Sequence, residues 1–345
     1  MEITTRIPPD LSPEEQEAYL CKQKMELRVK QIKKVQNVFV SHWGILLKNG
    51  LLLAHSAENL KGNYDATFYW KHWRLGAEQY LVSKYGTSLP KVFLDEGLFF
   101  SVHTPWFGYF SWVTTCLPRL IKIHSKFPHA KLIFPAEWQK ISFVRDSLKL
   151  FPELQIEVLE AETHAFVKHF VHAETRAWTS YFYPEDLILT RNFLKKHKSL
   201  KEDKYNCSRL YISRARARRR KIQNEDELIS VLTEQGFKVV YWEDYSFFEQ
   251  VALARQASVL IGLHGAGLTN VHFMREGSTV FELNIKVDPS LLRVPFWRMS
   301  GLLELNYFVQ HCDRTNNYNA PYDDDVVVCL TTFKAILNKV LKAKL

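Results

Sequence analysis

The second half of the chain alternates short apolar runs with amphipathic stretches. Strands are predicted at 210–212, 238–242, 259–261 and 279–283. Helices are predicted at 224–235, 246–257 and 324–342, the first two because Asn224 and Ser246 are favourable N-cap residues. Such alternation is typical of a Rossmann-like domain, in which helices cover both faces of a parallel sheet.

The first half has similar but weaker patterns. Asn49-Gly50 lies between two apolar runs and predicts a β-hairpin. Further strands are predicted at 35–41, 91–94, 98–102, 131–134 and 155–158, and helices at 13–34, 110–124, 136–148 and 184–197. The polar stretch 198–206 has the composition of a linker. We therefore predict an α/β protein with domains at 1–200 and 207–345, and the last helix is free to pack back on the first domain.

The run 259–261 is followed by a loop that contains Gly262, Gly265 and Gly267, and then by a helical pattern over 268–274. Glycines let backbone N–H groups approach a ligand, and a helix that begins there directs unpaired N–H groups at the same point. The loop therefore predicts an anion site. Its spacing differs from that of the dinucleotide and Walker motifs, which argues against a dinucleotide oxidoreductase.

The arginine-rich segment 211–221 is a second feature that predicts an anion site. Its arginines directly follow a predicted strand of the same sheet. Arginines at a strand end are well placed to bind phosphate oxygens through two hydrogen bonds each. A solvated basic loop is the alternative. Nucleic-acid binding is not supported, because the segment lacks interleaved aromatic residues and any helix-turn-helix pattern.

Composition narrows the class of protein. The chain of 345 residues is 46% hydrophobic and 24% charged, which is typical of a folded protein, and its formal charge of +9 favours anionic partners. Five dispersed cysteines indicate reduced thiols in the cytosol. We expect neither secretion nor membrane spanning, because residues 1–30 lack an apolar core and no run of about 18 apolar residues occurs.

Several short sequence motifs of the C-terminal half resemble motifs of glycosyltransferase family 61 and occur in the family's order. They are L-Y-I-S-R (210–214), R-K-I-Q-N-E (220–225), D-Y-S-F-F-E-Q (244–250), A-S-V-L-I-G-L-H-G-A-G-L-T-N (257–270) and G-S-T-V-F-E-L (277–283). A fainter match is Y-F-S-W-V-T-T-C-L-P-R-L (109–120). The resemblance implies a GT-B fold, two Rossmann-like domains that face each other across a cleft, and inverting transfer of a sugar from a nucleotide donor.

The resemblance also implies a donor site. Arg214 and Arg220 are expected to clamp the diphosphate, with Arg218 or Arg219 as substitutes. The loop is expected to hold the phosphates and part of the nucleoside through His264, Gly265, Ala266, Gly267, Thr269 and Asn270. Glu282 is expected to bind the ribose hydroxyls. The structural alternatives are that Asn270 caps its helix and that Glu282 pairs with an arginine.

The catalytic base is not assigned by the resemblance. Many relatives have a histidine before the tryptophan of the motif at 109–120, where this chain has Ser111. The candidates for the base are His103, Asp95 and Glu96, although a lone histidine is more often structural.

No obligatory metal cofactor is expected. The acidic run 323–325 fits the N-cap turn of the last helix better than a metal site. His164, His169 and His172 lack the spacing of metal ligands.

The sequence thus predicts an inverting hexosyl- or pentosyltransferase that moves a sugar from a nucleotide donor, a UDP-sugar above all, to a glycan or lipid-linked glycan. Synthesis of a cell-surface polysaccharide in the cytoplasm, with peripheral contact at the inner membrane face, is the expected setting. The alternative is a catalytically impaired protein that binds nucleotide and glycan on the same fold.

Overall fold

The computed structural model describes residues 2–26, 31–53, 90–104, 108–174, 182–197, 207–315 and 321–343, and six single positions between 74 and 84. The chain divides into two compact units. The C-terminal unit comprises Met1–Leu27 and Lys198–Leu345, and the central unit comprises Arg28–His197. The predicted linker 198–206 lies outside the described residues.

The first residues belong to the C-terminal unit. They form strands β1 (Glu2–Thr4) and β2 (Lys24–Glu26), which pair antiparallel, and helix α1 (Pro13–Leu20) between them. The buried Tyr19 ring packs edge-on against Trp297, with ring centroids 4.8 Å apart, and Trp297 Nε1 donates to the Arg6 carbonyl. These long-range aromatic contacts place residues 2–26 outside the first domain that the sequence suggested. The helix expected over 13–34 ends at Leu20.

The central unit contains one eight-stranded sheet. Its strands are β3 (Ile32–Val40), β4 (Leu46–Lys48), β5 (Leu51–Leu52), β6 (Lys91–Leu94), β7 (Phe99–Ser101), β8 (Lys131–Pro135), β9 (Ile156–Leu159) and β10 (His164–Ala173). Its helices are α2 (Tyr109–Ser111), α3 (Leu117–Lys126), α4 (Ala136–Gln139), α5 (Ser142–Leu148) and α6 (Pro184–Lys195), with a π-helical turn at Trp112–Cys116. The strand order is β5-β4-β3-β10-β7-β8-β9, and β6 also pairs with β10.

The predicted hairpin is confirmed. Asn49 and Gly50 both have positive φ, 52° and 78°, as a tight turn between β4 and β5 requires. The hairpin is part of the main sheet, because β4 pairs with β3, and β3 pairs antiparallel with β10 over eight residue pairs. The alternating region is confirmed in part, since β7, β8 and β9 are parallel neighbours.

The C-terminal unit contains a six-stranded sheet. Its strands are β11 (Arg209–Ile212), β12 (Lys238–Val240), β13 (Val259–Leu263), β14 (Thr279–Ile285), β15 (Asn306–Arg314) and β16 (Val326–Val327). Its later helices are α7 (Glu225–Glu234), α8 (Phe247–Gln256), α9 (Pro295–Leu302) and α10 (Leu330–Lys342). The order is β12-β11-β13-β14-β15-β16, in which only β16 runs antiparallel. Helix α10 packs on this sheet and contributes Phe333 and Val340 to its core.

The strand order determines where a ligand binds. From β11 the chain moves to β12 on one side and then to β13 on the other side. In open parallel sheets, ligands bind at the carboxyl ends of the strands where the order reverses. The arginine-rich segment follows β11 and the glycine loop follows β13, so both lie at this switch point.

The predicted helix caps have different outcomes. Ser246 caps α8 in a capping box with Glu249, as expected. Asn224 precedes α7 but makes no capping bond, because its side chain pairs with both the N–H and the carbonyl of Val328.

The acidic run 323–325 does not cap the last helix, and that prediction was wrong. Helix α10 begins only at Leu330. Asp323 instead forms an ion pair with Arg219, and Asp325 accepts a hydrogen bond from the Lys221 N–H.

Candidate functional site

The loop after β11 folds around the side chain of Arg214. The Arg214 guanidinium donates to two carbonyls of its own loop, from Nε to Arg220 (2.9 Å) and from Nη2 to Arg219 (3.0 Å). Arg220 has φ +58°, which is uncommon for a residue other than glycine. The turn thereby holds Arg214 and Arg220 next to each other.

Glu225 fixes the start of this loop. Its buried Oε1 accepts hydrogen bonds from the Tyr211 hydroxyl (2.7 Å) and from the Arg214 N–H (3.2 Å). Glu225 thus joins the first turn of α7 to the end of β11.

Both arginines reach the glycine loop. Arg220 Nη1 donates to the His264 carbonyl (3.2 Å). A Cβ atom on Gly265 would lie 2.6 Å from Arg214 Nη1 and 3.7 Å from Arg220 Nη1. Glycine is therefore needed for the close approach of Arg214, and the structure brings together the two predicted clamp residues, His264 and Gly265.

Partial burial affects the pKa values of the Arg214 and Arg220 guanidinium groups. It lowers the pKa of Arg214, and it lowers the pKa of Arg220 to about 10, with the charges of Arg214 and Arg219 adding to the effect. Both side chains stay protonated near pH 7. Arg220 Nε is buried and has no hydrogen-bond partner in the part of the chain that the structure describes. Two adjacent half-buried cations cost free energy that a bound anion would offset.

Two other arginines of the segment have acidic partners. Arg216 pairs with Asp244 (2.5 Å) and lies over the Tyr241 ring, and Arg219 pairs with Asp323 (2.6 Å). Within the described residues, the Arg214 and Arg220 guanidinium groups form no ion pair. The structure thus separates the clamp residues from the basic residues that balance surface acids.

His264 and Glu282 form a buried pair below the loop. His264 Nδ1 and Glu282 Oε1 are 2.5 Å apart, and the Tyr307 hydroxyl donates to Glu282 Oε2 at 2.5 Å. Burial lowers the pKa of His264, so the ring is neutral near pH 7. A neutral ring that donates from Nδ1 keeps a lone pair on Nε2.

The role expected for Glu282 does not fit its position. Its side chain is fully buried and both carboxylate oxygens accept hydrogen bonds from the protein. Its partners are His264 and Tyr307, and it pairs with no arginine among the described residues. Glu282 orients the His264 ring.

The rest of the glycine loop divides into two groups. Ala266 is exposed and Gly267 is half-buried at the start of the 3-10 helix, whereas Thr269 and Asn270 are fully buried. Asn270 Nδ2 donates to Gln250 Oε1 inside the unit (3.1 Å). The segment Ala266–Phe273 is a 3-10 helix, whose inward face takes up both side chains.

The residues predicted as bases lie in the central unit. His103 is buried against the rings of Phe134 and Trp138, and burial lowers its pKa to about 3. Asp95 and Glu96 are exposed beside the turn between β6 and β7, and Ser111 ends α2. If His103 is the base, its ring acts from a position that is closely packed against two aromatic side chains.

Sequence reasoning missed one histidine–carboxylate pair in this unit. His42 Nε2 is hydrogen-bonded to Glu137 Oε1, and the His42 N–H donates to His164 Nδ1 (3.0 Å). The partners are 95 residues apart, so no local pattern joins them. Among the residues that the structure describes, no group of three or more histidine, cysteine or acidic side chains has the arrangement of a metal site.

The family comparison agrees with this geometry. A profile of the family Glycosyltransferase 61 matches residues 109–281, half of the chain. The chain belongs to glycosyltransferase family 61. The matched part includes the arginine loop, the glycine loop and the first three residues of β14, and it ends one residue before Glu282. The family resemblance of the sequence motifs is confirmed.

Curated relatives in family 61 match a shorter part. The EGF domain-specific O-linked N-acetylglucosamine transferase of Drosophila melanogaster is 39% identical over 83 residues, which are 23% of this chain and 16% of that protein. The protein of the same name from Mus musculus is 38% identical over 69 residues, 19% of this chain and 13% of that protein. The match therefore spans well under two thirds of the relatives' length.

Proposed function

We propose that this family 61 chain is an inverting glycosyltransferase of the GT-B type that uses a nucleotide-diphosphate sugar, with UDP-sugars first. The observation that carries the proposal is the convergence of Arg214 and Arg220 on Gly265 at the switch point of the C-terminal sheet. A diphosphate is the anion that this geometry suits, because each arginine offers planar paired donors to phosphate oxygens.

The same groups support the chemistry. As the bond between sugar and diphosphate breaks, negative charge accumulates on the leaving group. Arg214, Arg220 and the N–H groups of Ala266 and Gly267 at the start of the 3-10 helix are already fixed and stabilise this charge without rearranging. We therefore expect no obligatory metal.

His264 adds a hydrogen-bond acceptor. Because Glu282 holds Nδ1, the Nε2 lone pair is available to accept from a hydroxyl of the donor, either on the ribose or on the sugar. The role that the family resemblance gave to Glu282 passes to its histidine partner in this proposal.

We assign the acceptor side to the central unit, and the acceptor to a glycan or lipid-linked glycan in polysaccharide synthesis. The names of the relatives make UDP-N-acetylglucosamine the first donor to test. No helix among the described residues is both long and apolar enough to cross a membrane. A cytoplasmic location with peripheral membrane contact stays a prediction, and sedimentation with anionic liposomes at low salt tests the contact.

Nucleotide binding tests the donor site directly. We expect Arg214→Ala to weaken UDP binding by about 1.5–3 kcal/mol, because the variant loses a charge-assisted paired contact. Arg216→Ala is the matched control, since Arg216 belongs to the same loop but is half-exposed and paired with Asp244. Its effect should stay below about 1 kcal/mol.

Titration calorimetry with UDP, alongside thermal unfolding to establish that both variants fold, distinguishes the outcomes. Equal affinities of folded Arg214→Ala and wild-type protein contradict the clamp. The alternative function, a binding protein without transfer, is motivated by Ser111 in place of a histidine. It is favoured if the wild type binds UDP but turns over no donor in a broad panel of nucleotide sugars.

A further inference from the structure

The turn Ser41–Ile45 of the central unit is held by its own backbone. The Ser41 N–H donates to the Ile45 carbonyl, the Gly44 N–H donates to the Ser41 carbonyl, and the Ile45 N–H donates to Ser41 Oγ, each at 2.9 Å. Gly44 has φ +80°, and a Cβ there would lie 2.3 Å from the His103 carbonyl oxygen. The turn therefore presents its two tip residues in fixed positions.

The first tip residue, His42, is buried and directed at a carboxylate. Its Nε2 is hydrogen-bonded to Glu137 Oε1. Its Nδ1 is buried and has no hydrogen-bond partner within the described residues. An unpaired lone pair costs less there than an unpaired N–H, so the ring carries its proton on Nε2 and donates to Glu137.

Glu137 keeps one oxygen available. It lies in α4, directly after β8, and 44% of its side chain is exposed. Oε2 makes no hydrogen bond within the part of the chain that the structure describes. A carboxylate with one oxygen held and the other open to solvent has the arrangement of a general base.

The second tip residue is Trp43. Its side chain is 49% exposed, whereas the other four described tryptophans are buried (Trp112, Trp138, Trp242 and Trp297). The indole packs edge-on against His42, with ring centroids 5.4 Å apart. An exposed flat ring that packs against the histidine bound to Glu137 offers an apolar surface to the C–H face of a sugar ring.

We propose that Glu137 is the base that takes the proton from the acceptor hydroxyl, that His42 positions it, and that Trp43 carries the acceptor sugar ring. This inference rests on the proposed transferase function. The hydroxyl oxygen forms a bond to the anomeric carbon while its proton passes to Glu137. The bond between the anomeric carbon and the diphosphate breaks, and its electron pair leaves with the nucleoside diphosphate. The exposed Glu137 then returns the proton to solvent.

Donor hydrolysis, in which water replaces the acceptor, tests the base without knowledge of the acceptor. We expect Glu137→Gln to lower the hydrolysis rate by about 100-fold or more, with unchanged UDP affinity. Sodium formate should restore part of the rate of Glu137→Ala, because it supplies a free carboxylate. Glu160→Gln, an exposed acid of the same unit, is the matched control.

Two His42 variants test positioning. His42→Ala should lower the rate about tenfold, and His42→Gln should restore most of it, since its amide donates near the position of Nε2. For Trp43, we expect Trp43→Ala to abolish binding to an array of neutral oligosaccharides and Trp43→Phe to retain it.

The outcomes separate this inference from the proposed function. If the wild type turns over a donor from a panel of UDP-, GDP- and CDP-sugars and Glu137→Gln does so equally fast, Glu137 is not the base and the transferase function stands. The same conclusion follows if formate has no effect, or if only Asp95→Asn or Glu96→Gln stops turnover. If the wild type binds no UDP and turns over no donor, both proposals fail. Array binding that is absent in the wild type, or equal in Trp43→Ala, overturns the role of Trp43.

Discussion

A histidine is hydrogen-bonded to a glutamate in each unit, and the pairs His264–Glu282 and His42–Glu137 differ in what surrounds the carboxylate. Glu282 in the C-terminal unit is fully buried, and His264 and Tyr307 occupy its two oxygens. Glu137 in the central unit is 44% exposed, and only one of its oxygens is held, by His42.

The difference shows that the same two residue types serve different purposes according to burial. A carboxylate with both oxygens satisfied inside the protein cannot reach a substrate, but it can fix the tautomer of its histidine. A half-exposed carboxylate contributes little to stability and stays available for proton transfer. In the proposed roles, the histidine of the first pair contacts the donor and the glutamate of the second pair contacts the acceptor.

The largest expected difference between the pairs is in stability. Glu282→Ala should lower the free energy of unfolding by about 3–5 kcal/mol, because it leaves buried partners without their carboxylate. Glu137→Ala should lower it by about 1 kcal/mol or less, because the pair is half-exposed. Urea unfolding, followed by far-UV circular dichroism, measures both.

Glu282→Gln keeps the shape of the side chain and serves as a second variant if Glu282→Ala does not fold. Equal losses of stability in the two alanine variants would contradict the distinction between a structural and a free carboxylate.

A smaller effect is expected from adding one methyl group. Gly265→Ala places a Cβ atom 2.6 Å from Arg214 Nη1, so the guanidinium has to move away from the loop. We expect UDP affinity to fall about tenfold, roughly 1.4 kcal/mol, with little loss of stability because the displaced group is the end of a flexible side chain. Calorimetry and thermal unfolding measure the two effects.

Gly108→Ala in the central unit is the control, since no described residue other than its chain neighbours lies within 4 Å of its Cβ position and its φ of 170° suits any residue. Unchanged UDP affinity in Gly265→Ala would show that the Arg214 position is not needed for the ligand.

The placement of the arginine loop and the glycine loop could be predicted from the sequence because their signals are local. Strand β13 and its glycine loop are adjacent in the chain, and Arg214 follows β11 directly. The alternation of strands and helices then sufficed to bring both segments to one edge of a parallel sheet.

Features that depend on distant partners were missed or mistaken. Strand β15 was not predicted, because Gln310, His311 and Asp313 interrupt its apolar pattern. Asn224 has the composition of a cap, but its side chain pairs with Val328, 104 residues away. The pair of His42 and Glu137 was missed for the same reason, because only the folded chain brings the two segments together.

The smallest predicted effect lies at the outer end of the network behind Glu282. Tyr307 is hydrogen-bonded to Tyr19, the Tyr19 hydroxyl lies 3.5 Å from His311 Nε2, and His311 Nδ1 lies 2.5 Å from Glu15 Oε1.

The hydrogen bond to His311 lowers the pKa of Glu15 to about 2 from an ordinary value of 4.5. A carboxyl group with a lowered pKa in the folded state stabilises the fold above pH 4.5, and this contribution is lost as the pH falls towards 2.

Glu15→Gln retains the capping bond to the Ser12 N–H but lacks the charge. We expect it to be less stable than wild type by under about 1 kcal/mol at pH 7, because Glu15 is about one-third exposed. The gap should close between pH 4.5 and 2 in thermal unfolding, whereas Glu14→Gln, an exposed acid of the same turn, should show no such convergence. A gap that stays constant down to pH 2 would mean that the Glu15 charge does not stabilise this end of the network.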